Sequence, residues 1–199
     1  MQIRSARRPQ AERRAETRDA LLIAARKLFA EKGYAETGTP EIVKEAKVTR
    51  GALYHHFTDK ADLLSAVLER EAEEIAEQIG KDTNTAQSPL DALLTGAKAY
   101  FIAMSRPGRT RLLLLEGPAV LTREHMKKIN LTAGEAALLE GLVHAKKQGF
   151  LGDHSPDVIA DLLSAAFDRA ALAIANGGNQ QLYERAIEAL LHNLLSKGS

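Results

Sequence analysis

Residues 39–57 read TPEIVKEAKVTRGALYHHF, and the reading of this stretch decides the fold. Thr39-Pro40-Glu41 has the form of an N-cap with proline at the first helical position, opening a short helix through about Ala46. Within four residues Thr49 can cap another helix, over about residues 50–56. Ile42, Val43 and Ala46 form the inner face of the first of these helices, and Val48, Leu53 and Phe57 supply inner contacts for the turn and the second. Thr49, Arg50, Ala52, His55 and His56 remain to face outward. Gly51 has no side chain to obstruct a phosphate, and the helix N-terminus beside it offers free amides. Two short helices joined by a tight turn and preceded by a packing helix make a helix-turn-helix, whose second helix fits a major groove about 12 Å wide.

Upstream, a helix is expected over about 13–32, with Leu21, Leu22, Ala25, Leu28 and Phe29 on one stripe and Gly33 placed to end it. Downstream, Thr58 or Asp59 can cap a long connector helix, about 59–79, followed by a polar loop over 81–88 that separates it from a second helical layer. Further helices are expected at about 89–105, 108–116, 118–148, 156–176 and 179–196, broken by Pro107-Gly108, Gly117-Pro118, Gly149, Ser155-Pro156 and Gly177-Gly178. Spacings of three and four recur while alternating apolar runs do not occur, so the fold class is all-α, with about nine helices and no repeat.

Composition narrows the functional classes. The 199 residues are 45% hydrophobic, enough for a real core, and contain no cysteine, which removes disulfides, thiolate zinc sites and cysteine nucleophiles together. The formal charge of +1 hides an asymmetry: residues 1–60 hold 13 Lys/Arg against 8 Asp/Glu, net +5, and residues 61–199 hold 14 against 18, net −4. Polyanion binding therefore belongs at the front, where Arg4, Arg7, Arg8, Arg13, Arg14 and Arg18 form the densest basic stretch, either as an arm that touches DNA or as a solvated terminus. Residues 1–14 are polar and basic with no apolar run behind them, unlike a secretory signal or membrane anchor, and no apolar stretch approaches the roughly 20 residues needed to span a bilayer. A cytoplasmic location without membrane attachment is expected. No phosphate-loop, dinucleotide, nucleophile-elbow or His-Glu-x-x-His pattern is present, and the six histidines lack metal-ligand spacing, so neither enzyme activity, nor a metal site, nor a cofactor is expected.

The run Leu28-Phe29, Gly33-Tyr34, Thr37, Ile42, Ala46 through Phe57, and Lys60 resembles the TetR family of transcriptional regulators over about 45 residues. Its most specific part is Gly51-Ala52-Leu53-Tyr54-His55-His56-Phe57 with Lys60 three residues on. Gly38 stands where the family often has Thr or Ser, and Lys47 where it usually has Gly in the turn. A turn that needs positive φ there would strain Lys47 by roughly 1 kcal/mol. Carried over by position, the resemblance implies phosphate contacts for Thr39, Thr49, Tyr54 and Lys60, and a place at or near the groove for Arg50, Gly51, Ala52, His55 and His56. Arg50 is the first choice for base reading, since a guanidinium can bridge guanine O6 and N7, with a phosphate clamp as its other role. His56 can instead pack within the head, and Tyr54 can be half core.

The resemblance further implies two domains: residues 1–60, the basic arm and helix-turn-helix, and residues 61–199, for ligand binding and dimerisation. A head this small reads few base pairs, so two are expected on a near-palindromic double-stranded operator, and the last two helices are expected to form the homodimer interface through Leu162, Ala166, Arg169, Ala173, Ile187, Leu190, Leu191 and Leu194. Arg169 falls within an apolar arc and needs a partner; a salt bridge, within the chain or across the dimer, is favoured over a ligand contact. A small-molecule effector is expected near Tyr100, Phe101, Met104, His125, Ile129, His144 and Phe167. The function expected is a ligand-responsive DNA-binding regulator, a repressor released by its effector. A protein of the same scaffold controlled by a partner, or without any ligand, is the alternative.

Overall fold

The computed structural model describes residues 10–195. The chain divides into two compact units, Met1–Val67 and Leu68–Ser199. In the first, α1 (Gln10–Lys32) buries the stripe Leu21, Leu22, Ala25, Leu28 and Phe29 and stops at Gly33, whose φ is 90°. Thr37, fully buried, donates its hydroxyl to the Gly33 carbonyl at 2.8 Å, satisfying an acceptor that the helix end leaves open. Helices α2 (Thr39–Glu45) and α3 (Arg50–His56) follow, with Ile42, Leu53 and Phe57 at the centre of the head. Lys27 pairs with Glu45 at 2.7 Å, and Lys32 pairs with Glu41, so two ion pairs link α1 to α2. The arm contacts weighed for Arg4, Arg7 and Arg8 lie outside the described residues.

The start of α2 differs from the expectation by one residue. Gly38 is the cap and Thr39 already lies inside the helix, because the Gly38 carbonyl accepts the first helical bonds, from Glu41 and Ile42. The Thr39 hydroxyl is therefore free for another use, described below. The end of α2 is a Schellman turn: the Lys47 amide donates to Lys44 O and the Val48 amide to Val43 O. That turn needs a left-handed residue, and Lys47 takes it with φ 55°, alone among the described non-glycine residues. Lys47→Gly is expected to stabilise the head by about 1 kcal/mol, read as a shifted midpoint in chemical denaturation. A midpoint that stays put or falls would mean that the turn is unstrained.

Helix α4 (Lys60–Thr83) opens with Asp59 accepting from the Asp62 amide at 2.8 Å, and it runs four residues beyond the expected 79. The second unit continues with α5 (Pro89–Met104), α6 (109–120), α7 (123–147), α8 (Pro156–Ala175) and α9 (Gln180–Leu194), and no strand occurs among the described residues. Gly117-Pro118 does not break a helix as expected. A π-turn over Leu112–Glu116 precedes it, and the Gly117 amide donates to Leu112 O, five residues back. The wider turn accommodates a proline that has no amide to donate and whose ring would crowd the carbonyl four residues behind. The break falls instead after Val120, where Leu121 is extended and Thr122 caps α7. The expected helix over 118–148 is thus divided, and its second part kinks at Gly134, φ 135°. The positive φ calls for glycine there; an added Cβ would also lie 2.8 Å from Ile79 Cδ1, the tip of a side chain that can shift.

One core joins α5, α7, α8 and α9, with Phe101, Leu142, Phe167 and Leu191 among its residues. Beside it the interior holds charge: Arg109 Nε donates to Glu71 at 2.7 Å, with the two side chains only 5% and 2% exposed. Arg109 also donates to Ala103 O at 2.9 Å and to Glu74, and Arg106 reaches Glu71 at 3.2 Å and Glu74.

Candidate nucleic-acid interface and inner cavity

The exposed side of α3 is set by its cap. Thr49 Oγ1 accepts from the Ala52 amide at 3.1 Å, which starts the helix and takes one of its open donors, while the hydroxyl proton remains available to an outside acceptor. Arg50, Gly51, Tyr54 and His55 are exposed, and Ala52 is half-buried. A Cβ at Gly51 would meet nothing closer than Thr49 Oγ1 at 3.9 Å, so the glycine keeps this surface low without being needed by the fold. The Arg50 guanidinium lies 5.5 Å from the centre of the Tyr54 ring. Hydrogen bonds from Thr39 and then Arg50, together with the Arg50 charge, pull the Tyr54 phenol below its ordinary value of 10.0. Thr39 on α2 and Arg50 and Tyr54 on α3 therefore lie together on one side of the head.

Two other expected contacts are committed inside the head. Lys60 Nζ donates to Tyr34 O at 2.8 Å and Thr37 O at 3.0 Å, and stands 4.0 Å from the centre of the Tyr34 ring. An ammonium has three protons, so at most one is left for a phosphate; the position ties the start of α4 to the loop after α1. His56 is half-buried next to Phe57 rather than in the open. Burial first, then the charges of His55, Arg14 and Arg18, hold its imidazole below the ordinary 6.5.

The second unit encloses a cavity of about 310 Å³. Of the seven residues expected there, Tyr100, Met104, His144 and Phe167 line it. Phe101 does not: it is 4% exposed and packs in the core against Tyr100 and Phe167. Ile129 is buried elsewhere, and His125 is exposed on α7. Both lie before the kink at Gly134, and an unbroken helix over 118–148 would have given them a different facing. Asp168 belongs to the wall and accepts from the Tyr100 hydroxyl at 2.6 Å. Burial pushes the Tyr100 phenol well above 10.0, the neighbouring Asp168 charge adding to it. Burial likewise raises the Asp168 carboxyl above 3.8, opposed by the bond from Tyr100 and aided by Glu135.

Helices α8 and α9 carry exposed apolar side chains: Leu162 at 61% and Leu190 at 52%, with Val158 and Leu182 similarly open. Ala166, Ala173 and Leu194 are half-buried. Ile187 and Leu191 belong to the chain's own core, with Ala166 and Leu194 packed against it. Arg169 is exposed and has no ion-pair partner among the described residues, so the expected bridge does not form within one chain. No group of three or more His, Asp or Glu residues able to hold a metal occurs among the described residues, and no described helix is long and apolar enough to cross a membrane.

Comparison with known proteins agrees with this geometry. A family model for bacterial regulatory proteins of the tetR family matches residues 21–67, and one for a tetracyclin repressor-like C-terminal domain matches residues 90–198. The HTH-type transcriptional repressor BepR of Brucella suis is 47% identical over 64 residues, which are 32% of this chain and only 30% of that repressor's length. The HTH-type transcriptional repressor AcnR of Corynebacterium diphtheriae is 26% identical over 182 residues, covering 90% of this chain and 92% of its own. Among solved structures, a TetR-family transcriptional regulator from Pectobacterium atrosepticum is 31% identical and superposes with a TM-score of 0.73, covering 96% of this chain and 100% of that one.

Proposed function

We propose that this chain, which belongs to the TetR family of DNA-binding bacterial regulatory proteins, holds a near-palindromic operator as a homodimer and leaves it when a small molecule enters the second unit. The observation that carries the reading is the outer face of α3, where Arg50, Tyr54 and His55 stand exposed beside the capped Thr49. Arg50 is the base reader in this scheme and Thr39, Thr49 and Tyr54 contact phosphates. Lys60 and His56 chiefly support the head. The charge of the first 60 residues, net +5, supplies the attraction to the polyanion.

Helix α4 gives the response a physical route. Its residues Ile75, Ile79 and Thr83 form part of the cavity wall, and the same unbroken helix begins at Lys60 in the head. A ligand that displaces the wall displaces a helix shared with the head. Operator half-sites on one face of DNA lie about 34–36 Å apart, so a shift of a few Å in the separation of two heads weakens bivalent binding. Repression is the proposed sense, since BepR and AcnR are both named repressors, and the cytoplasm is the proposed location.

Fluorescence anisotropy against DNA from upstream of the protein's own gene, run across salt concentrations beside scrambled DNA, tests the reading. Saturable binding at two chains per site, lost on scrambling, is expected. Arg50→Ala is expected to cost about 1–3 kcal/mol of discrimination, roughly 5- to 150-fold in affinity. If the upstream DNA and a random-sequence selection both yield only uniform, salt-labile binding, specific operator recognition is excluded.

A further inference from the structure

The cavity wall carries charge of one sign. Glu135, Glu140 and Asp168 line it together with His144, and no lysine or arginine does. Arg169, next in sequence to Asp168, is exposed and is not part of the wall. Asp168 and Glu135 are half-buried and Glu140 is exposed, and with no lysine or arginine in the wall these carboxylates leave a negative potential in the space. Asp168 is placed to concentrate it: one oxygen accepts from Tyr100 at 2.6 Å, and the other receives no hydrogen bond from a described residue. Tyr100 and Phe167 line the space on either side, with ring centres 6.0 Å apart and planes 33° from parallel, so a carboxylate and a continuous aromatic wall meet at one point. The remaining wall is largely aliphatic, including Ile75, Leu93 and Leu138.

From this arrangement we infer that the cavity takes a small organic cation, a protonated amine attached to an apolar or aromatic body, with the ammonium between Asp168 and the rings of Tyr100 and Phe167. An ammonium donates to the open carboxylate oxygen and is drawn to the ring faces, and the apolar body fills the aliphatic part. An anionic ligand meets these carboxylates, with His144 the one side chain of the wall able to carry a positive charge. A neutral one gives Asp168 at best an uncharged donor, a weaker hydrogen bond than an ammonium makes. The raised carboxyl of Asp168 is what an enclosed acid shows when its own chain supplies no cation. The inference rests on reading the cavity as a small-molecule site and specifies the charge of its occupant.

Titration calorimetry on the full chain with three probes of matched shape decides it: phenethylamine, 2-phenylethanol and 3-phenylpropionate. Phenethylamine is expected to bind at least about tenfold more tightly than either analogue. In Asp168→Asn that preference should fall to about threefold or less while the affinity for 2-phenylethanol stays within about twofold. Tighter binding of the neutral or anionic probe by the wild-type protein overturns the charge assignment and leaves the cavity as a binding site. A preference for the amine that survives Asp168→Asn in a variant melting as the wild type does overturns the placement. Failure of all three probes overturns the reading of the cavity as a small-molecule site, and this inference with it.

Discussion

Arg109→Met is expected to cost the second unit about 3–5 kcal/mol, toward the lower end because Arg106 still reaches Glu71. The loss does not come from the missing attraction alone. Glu71 is 2% exposed and loses the guanidinium bonded to it, so its charge is left poorly compensated or must be neutralised by a proton, and Ala103 O at the end of α5 loses one of its donors, at 2.9 Å. Removing both charges should cost far less than removing one: Arg109→Met with Glu71→Leu is expected to recover most of the stability. Urea denaturation of the two single variants and the double variant measures the coupling. Three additive costs would show that the buried pair is no unit. Because α6 starts at Arg109 and Glu71 lies on α4, the pair also fastens two helices that line the cavity, so the single variant should bind cavity ligands less well than the double.

A larger effect on DNA binding is expected from Leu162→Glu combined with Leu190→Glu. Both side chains are more than half exposed in one chain, so carboxylates there meet water and should leave the fold of the unit intact. In a homodimer that buries α8 and α9, the same carboxylates face apolar surface. Loss of the dimer converts two linked contacts into two separate ones, lowering operator affinity by about 10²–10⁴-fold. Sedimentation velocity and anisotropy on the same samples check both halves of the expectation. A variant that stays dimeric places the interface elsewhere, and a monomer with full affinity rules out bivalent binding. Arg169, exposed on α8 without an ion pair among the described residues, is available to a carboxylate of a second copy in this arrangement.

Much of this architecture was legible in local chemistry. The end of α1 at Gly33 and the cap at Thr49 each follow from a backbone requirement that neighbouring residues announce, while the left-handed turn at Lys47 was foreshadowed by the family resemblance, which puts glycine there. The apolar spacing of Ile42, Leu53 and Phe57 marks the inner side of the head in the same way. Features that depend on distant partners were not legible. Lys60 reads as a free cation in a basic segment, yet its ammonium is held by carbonyls 26 and 23 residues away. Arg109 and Glu71 are 38 residues apart and look like ordinary surface charges. Pro118 is a helix breaker by local rules, and only the preceding π-turn lets the helix pass through it. Asp168 shares a polar stripe with Ser164 in the sequence, and nothing there reveals that the stripe reaches a cavity opposite Tyr100.

The Arg50 guanidinium, resting 5.5 Å from the centre of the Tyr54 ring, has a kinetic consequence. Long surface side chains ordinarily sample many rotamers, and each one immobilised on binding costs about 0.5–1.5 kcal/mol. Here two of the groups proposed to meet DNA already restrict one another in the free head, so less rearrangement separates a collision from a seated complex. Correct and incorrect sequences should then be met at similar speed and told apart by residence time.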